Sequence, residues 1–388
     1  MSYKLLIVSE PGVDGVFRHV EGLIRYLQSK GWKIFWAYSS VRKSAAMTRL
    51  AEEVKANGGG VLDLGVSNSP SFRDIGAYVS LWRFCCSNRV KWIHAHSSKA
   101  GLLARLIPFK RHIYTPHAYY GMGRTGGLMC RLSNLAEAVL GRIGKTISVS
   151  QDEKDFAARQ LHIPETYLLT IPNAVDFLKF KPASDSEHKR LLRQEIEIDT
   201  NAWVVGSIGR ICYQKDTLTL VKGFNGLCRE FPQESFVLLL VGSGSPEEEA
   251  ALAEAVSDLP ENARCIRKAY RDNPEVYYQV MDAFALTSRY EGLPITALEA
   301  LATDLPCIFT RVPGLNCFGP DGYQFNGIFY GLSGDEGSIS KAFIDNYLDR
   351  MQSFNHRNTA KELFSIDQVY GEIESEYHQW FSDSPTAD

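Results

Sequence analysis

The chain has no C-x-x-C pair and no D-x-D triplet. Its eight cysteines stand singly except for Cys85 and Cys86. That pattern reads as reduced thiols in a cytoplasmic protein, and it argues against a disulfide framework or a zinc site. After the first strand, Gly12 and Gly15 do not make G-x-G-x-x-G, and the strand ending at Gly242 and Gly244 lacks the third glycine, so neither is a good dinucleotide fingerprint. There is no excess of one charge either: 42 basic against 45 acidic residues give a net charge of −3 and a pI near 6.3. Nucleic acid is therefore not expected as a main partner. No apolar run approaches the ~18 residues needed to span a bilayer, so any membrane contact must be peripheral. The chain opens directly on the apolar run Lys4-Leu-Leu-Ile-Val8, with no segment that reads as a signal peptide.

What is present is α/β alternation. A chain of 388 residues is too long for one core and divides into two domains of roughly 150 to 200 residues. Strand-like runs at Lys4–Val8, Ile34–Tyr38, Val61–Leu64, Trp92–His96, Ile113–Thr115, Thr146–Val149 and Leu168–Ile171 alternate with amphipathic helical stretches. This alternation predicts a doubly wound parallel sheet. The pattern restarts at Trp203–Ile208, after a polar stretch over 180–200 that reads as linker plus a short surface helix.

The most informative stretch is Ser288-Arg-Tyr-Glu-Gly-Leu-Pro-Ile-Thr-Ala-Leu-Glu-Ala-Leu-Ala302. It follows the apolar run Ala283–Thr287 and enters a helix with Pro294 in its first turn, where a missing N–H costs nothing. Glu291 falls in the loop and Glu299 inside the helix. Free N–H groups at a helix start favour negative charge. Two carboxylates beside such an end suit a ligand carrying hydroxyls and phosphates, as a nucleotide sugar does; a solvated acid beside an ordinary helix is the plainer reading.

Other stretches point the same way. Gly12 and Gly15 follow the first strand and let backbone approach a phosphate or sugar, although two glycines in such a turn need no function. His94 and His96 share one side of a strand; a metal pair is conceivable, but no third ligand stands out. His117 sits just past a strand end, where ligands collect in open α/β sheets, and a packing role is the alternative. Arg210 and Lys215 frame a strand-to-helix loop and suit a diphosphate, or are two surface charges. A stripe of Leu128, Leu132, Leu135, Val139 and Ile143 reads as core, or, with Arg105, Lys110, Arg111 and Arg124, as a face for anionic lipid.

These segments together resemble the retaining glycosyltransferases of family four, which have the GT-B fold. The Glu291-x7-Glu299 stretch, the His94-Ala-His-Ser-Ser-Lys-Ala-Gly101 run, Pro172-Asn-Ala-Val-Asp176 and Gly209-Arg-Ile-Cys-Tyr-Gln-Lys-Asp216 carry the resemblance. Ala174, Asp216 and Asp304 stand where the family usually has glycine. The resemblance implies that Glu291 touches the transferred sugar and Glu299 the ribose. Backbone at Gly292, Leu293, Pro294 and Ile295 would lie against sugar and diphosphate. Arg210 and Lys215 would hold the diphosphate, Gly15 would line the first glycine loop, and His117 would face the sugar's primary hydroxyl.

The expectation is therefore an α/β protein of GT-B type, with two Rossmann-like domains facing across a cleft. The first covers 1–178 and is completed by 366–388, a C-terminal helix crossing back to it with the stripe Ile366, Val369, Tyr370, Ile373, Tyr377 and Trp380. The second covers 179–365. The expected activity is a metal-independent, retaining hexosyl transfer from a nucleotide diphosphate sugar, a UDP-sugar first, with no cofactor. The expected acceptor is a lipid-linked or other oligosaccharide in bacterial polysaccharide biosynthesis, met at the cytoplasmic face of the membrane through peripheral anionic contact. A nucleotide-sugar epimerase of the same shape and a non-catalytic assembly partner are the alternatives.

Overall fold

The computed structural model describes residues 3–10, 14–42, 44–67, 71–123, 126–271 and 273–382. It divides into two compact units, residues 1–174 with 366–388, and residues 175–365. The first division falls at Ala174, ahead of the expected 178, because Val175 N–H donates to Phe364 O and Val175 bridges to Ser365. Those contacts tie both crossing strands of chain to the second unit.

The first unit runs β1 (Lys4–Ser9), α1 (Asp14–Ser29), β2 (Lys33–Tyr38), α2 (Ala45–Ala56), β3 (Gly60–Asp63), α3 (Arg73–Ser87) and β4 (Trp92–His96). It continues through α4 (Ser98–Arg105), β5 (Arg111–Thr115), α5 (Leu128–Leu140), β6 (Lys145–Ser148), α6 (Gln151–Arg159) and β7 (Leu168–Thr170). All seven strands are parallel, in the order β3-β2-β1-β4-β5-β6-β7. The order reverses between β1 and β4. In open α/β sheets that reversal opens a crevice at the carboxyl ends of the strands.

The second unit runs α7 (Ser186–Glu195), β8 (Trp203–Ile208), α8 (Thr217–Glu230), β9 (Phe236–Val241), α9 (Pro246–Ser257), β10 (Ala263–Lys268) and α10 (Glu275–Val280). Then come β11 (Ala283–Leu286), α11 (Ile295–Ala302), β12 (Cys307–Thr310), β13 (Ile328–Gly331), α12 (Glu336–Leu348) and α13 (His356–Phe364). Its six parallel strands lie in the order β10-β9-β8-β11-β12-β13, reversing between β8 and β11. The stretch over 180–200 is no loose linker. Arg193 of α7 is buried and donates to Val280 O, Thr200 O, Ala202 O and Asp282 Oδ2.

The last helix, α14 (Ile366–Ser382), belongs to the first unit. Val369, Tyr370, Ile373 and Tyr377 enter the same apolar core as Leu5, Ile7 and Trp36, with Ile366 and Trp380 packed against it. Trp32 Nε1 donates to Glu374 Oε1 at 2.7 Å. Any Cβ at Gly22 would fall 2.6 Å from the Tyr370 hydroxyl, so glycine there allows the close approach of α1 and α14.

One stripe reads differently from its periodicity. Leu128, Leu132, Leu135 and Val139 on α5, with Ile143 beyond it, are all exposed. The helix is held instead by its other face, where buried Glu137 pairs with Arg105 at 2.7 Å and accepts from the Tyr114 hydroxyl. That ion pair removes Arg105 from the basic surface set. Arg124 lies outside the described residues, as does Gly12 of the first glycine loop.

Candidate functional site

In the second unit the loops after β8 and β11 meet at the point where the strand order reverses. Lys215 Nζ lies 2.5 Å from Glu291 Oε1, and the Ser288 hydroxyl donates to the same oxygen at 2.6 Å. Gln214 Nε2 donates to Tyr290 O and reaches Glu291 Oε2 at 3.4 Å. The two loops are stitched by backbone as well: Arg289 N–H donates to Gln214 O, and the Thr287 hydroxyl to Asp216 O. A depression lined by Gly209, Arg210, Ile211, Lys215 and Thr217 opens at these strand ends.

The two aspartates found in place of glycine here explain themselves. Asp216 adopts a left-handed backbone, φ 47°, as does Asp304 with φ 57°. Glycine enters that region without a Cβ penalty, and aspartate is among the few residues that tolerate it. Each carboxylate is put to use: Asp216 pairs with Arg289 at 2.9 Å, and Asp304 accepts from Arg357 N–H at 2.7 Å. Ala174, by contrast, needs no positive φ and sits in the first unit's core.

Gly292, Leu293, Pro294 and Ile295 are buried and lead into α11, with Pro294 as the residue before the first helical turn. Thr296 Oγ1 at this helix start finds no protein hydrogen-bond partner. Glu299, 1% exposed, accepts from the Tyr278 hydroxyl at 2.6 Å, which fixes its carboxylate. The loop carrying Glu291 is clamped from below: its N–H donates to Pro313 O, and a Cβ on Gly314 (φ 78°) would meet Glu291 O at 2.4 Å. Sequence reading named Glu291, Glu299, Arg210 and Lys215 but missed Ser288, Gln214, Tyr278 and Arg289. Gln214, Ser288 and Arg289 lay inside the motifs already quoted, so proximity to the named residues was the available signal.

His117 and Gly15 belong to the first unit. Gly15 is exposed at the start of α1, after β1. His117 follows β5 with φ 55°, and Ala118 follows with φ 83°. Buried Glu153 of α6 holds this turn, accepting from Ala118 N–H at 2.5 Å and Val149 N–H at 2.7 Å. Burial pushes the Glu153 carboxyl up to about 7 against those two hydrogen bonds. His117 Nε2 lies 3.1 Å from His96 Nδ1, and His19 of α1 packs edge-on to His117 at 4.9 Å between ring centres. Burial holds His19 down at about 4 and keeps His96 and His117 well below the ordinary histidine range. All three rings are therefore neutral at pH 7. His94 does not act as the partner its spacing to His96 suggests. Its nitrogens are engaged by Tyr377 and Thr115.

Among the described residues no helix is long and apolar enough to cross a membrane. The structure also overlays closely on solved proteins. An Anabaena protein, HepE, solved with UDP and glucose, superposes with a TM-score of 0.79 at 16% identity, over 97% of this chain and 100% of that one. WaaG, described as a glycosyltransferase involved in lipopolysaccharide biosynthesis, gives 0.70 at 13% identity, over 96% and 99%. These likenesses show the fold. In sequence, an Escherichia coli enzyme, UDP-Gal:alpha-D-GlcNAc-diphosphoundecaprenol alpha-1,3-galactosyltransferase, is 25% identical over 322 residues, covering 80% of this chain and 81% of that one. The mannosylfructose-phosphate synthase of Agrobacterium fabrum is 30% identical over 169 residues, 42% of this chain and 35% of its own. The profile described as Glycosyltransferase Family 4 matches residues 13–177, and that described as Glycosyl transferases group 1 matches 188–361. The two profiles between them account for both units, and the chain belongs to glycosyltransferase family 4, with the GT-B fold.

Proposed function

We propose that this glycosyltransferase moves a hexosyl group from a nucleoside-diphosphate sugar, a UDP-sugar first, to a saccharide carried on a lipid diphosphate, with retention at the anomeric carbon. The observation that carries the donor reading is the Lys215–Glu291 pair beside Arg210 at the strand-order reversal. Arg210 and Lys215 supply cationic charge where a leaving diphosphate gains negative charge. Glu291 faces the sugar, Glu299 the ribose, and the start of α11 the phosphates. The family resemblance gives His117 of the first unit a role at the sugar's primary hydroxyl. The sequence offers no paired carboxylates in a clear nucleophile and base arrangement, which suits a front-face substitution in which the departing diphosphate takes the acceptor proton.

The acceptor reading draws on the Escherichia coli relative, whose name specifies a diphosphoundecaprenol-linked sugar. A bacterial polysaccharide pathway and a cytoplasmic, membrane-peripheral location follow from the same reading. The exposed apolar stripe of α5, with Phe109 and Tyr120 nearby in sequence, would rest on anionic lipid. The test is direct: purified protein is incubated with UDP-sugars and a GlcNAc-diphosphoundecaprenol acceptor, and the product's anomeric configuration is read by NMR. An α-linked product from an α-linked donor supports the proposal. An inverted product, or conversion of the donor alone without acceptor, overturns it, the latter in favour of an epimerase.

A further inference from the structure

We propose that His19, His96 and His117 form a three-imidazole site for a divalent transition metal, zinc above all, in the first unit. Their ligand nitrogens all lie within 4.8 Å of one another. The closest pair, His96 Nδ1 and His117 Nε2, is 3.1 Å apart. Two nitrogens sharing one tetrahedral zinc at about 2.05 Å each stand about 3.3 Å apart, so this pair already has the separation of two ligands. His19 closes the triangle from α1, its ring centre 5.3 Å from His96 and 4.9 Å from His117.

One further feature favours a set of three. His94, the fourth ring in the group, is withdrawn by Tyr377 and Thr115, which leaves a set of three. Three histidines and an open fourth position make the exchangeable kind of zinc site, not the closed structural kind. His117 is the partly exposed member and gives the ion its way in.

The consequence is inhibition. A metal on these nitrogens ties up His117, so zinc competes with the sugar; that step rests on the role given to His117 above, whereas binding does not. The site differs in kind from a catalytic ion on the diphosphate, because its ligands belong to the other unit.

Binding is measured on the full chain without donor or acceptor, by zinc titration against a chromophoric chelator. One zinc per chain is expected, weakened at least tenfold in His19→Gln and His96→Gln and unchanged in His162→Asn, whose histidine is exposed. Cobalt(II) bound to the native chain should give the intense visible bands of a tetrahedral site, a readout that does not depend on the variants folding. Absence of zinc binding, equal binding in all variants, or weak octahedral cobalt bands would each overturn the proposal. Failure of the glycosyl-transfer assay would leave these readings unaffected.

Discussion

Lys215 and Glu291 form a 2.5 Å ion pair between two loops that are 76 residues apart in sequence. The pair couples the group proposed for the diphosphate to the group proposed for the sugar. Removing either leaves a part-buried charge without its counterion, so their contributions should not be independent.

Lys215→Ala should lower turnover by roughly 10² to 10³, the range for losing one preorganised stabilising group. Glu291→Ala should damage both turnover and donor binding. The double variant should lose far less than the product of the two single losses. Glu299→Ala should mainly raise the Michaelis constant for donor, since ribose contacts change little on the way to the transition state. Steady-state kinetics on all four decide it; multiplicative losses would mean that the pair is not a unit.

Gly314→Ala tests the clamp beneath Glu291. A left-handed backbone costs a non-glycine residue about 1–2 kcal/mol, and the added Cβ also collides with Glu291 O. The variant should melt lower and turn over more slowly, while Gly334→Ala, also left-handed but in open space, should lose stability alone. Equal kinetics for the two variants would dissociate Gly314 from the site.

Stability should respond to pH in two opposite ways. Burial lowers His112 to about 4 from 6.5, and lowers His356 as well. The unfolded chain then binds protons that the folded one refuses, so stability is lost as pH falls from 6.5 towards 4, by up to about 1.4 kcal/mol per pH unit for each group. Glu153, raised to about 7 from 4.5, has the reverse sign. Here the folded chain keeps the proton longer, and stability is lost as pH rises from 4.5 to 7. The histidines outnumber it, so urea melts should show a net fall in acid, and Glu153→Gln should steepen that fall by removing the opposing contribution.

Activity should survive EDTA. Arg210 and Lys215 already provide the charge that a metal would bring to the diphosphate. Loss of turnover on chelation, restored by magnesium or manganese, would refute this.

Binding to anionic vesicles should be strongest at low salt, where charge attraction is least screened. Leu132→Glu with Leu135→Glu should weaken it without altering the fold, because both side chains are exposed. Unchanged binding would place the lipid contact elsewhere.

The sequence made the architecture legible because strand burial leaves unbroken apolar runs such as Phe236–Val241, and helix faces leave stripes such as that of α14. Periodicity shows which face of a helix is apolar, but not whether anything covers it. That is why the α5 stripe was open to two readings, core or lipid-facing surface, and proved exposed. Local motifs revealed Arg210, Lys215, Glu291 and Glu299, whose positions follow from strand-to-helix turns. The histidine triad stayed hidden because His19 lies 77 residues before His96, and only the β1–β4 pairing brings their elements side by side. Likewise, nothing local showed that Asp216 and Asp304 would take left-handed backbones and use their carboxylates.

The return of α14 to the first unit has a consequence for synthesis on the ribosome. Domains made early in a chain generally fold first. Here the early unit lacks Tyr370 and Tyr377, and the hydroxyl that meets His94, until the final helix has emerged. The later unit, continuous from 175 to 365, is complete sooner. The part of the protein made first is therefore finished last, and a chain cut short after residue 365 should leave its opening half with an apolar groove where α14 belongs.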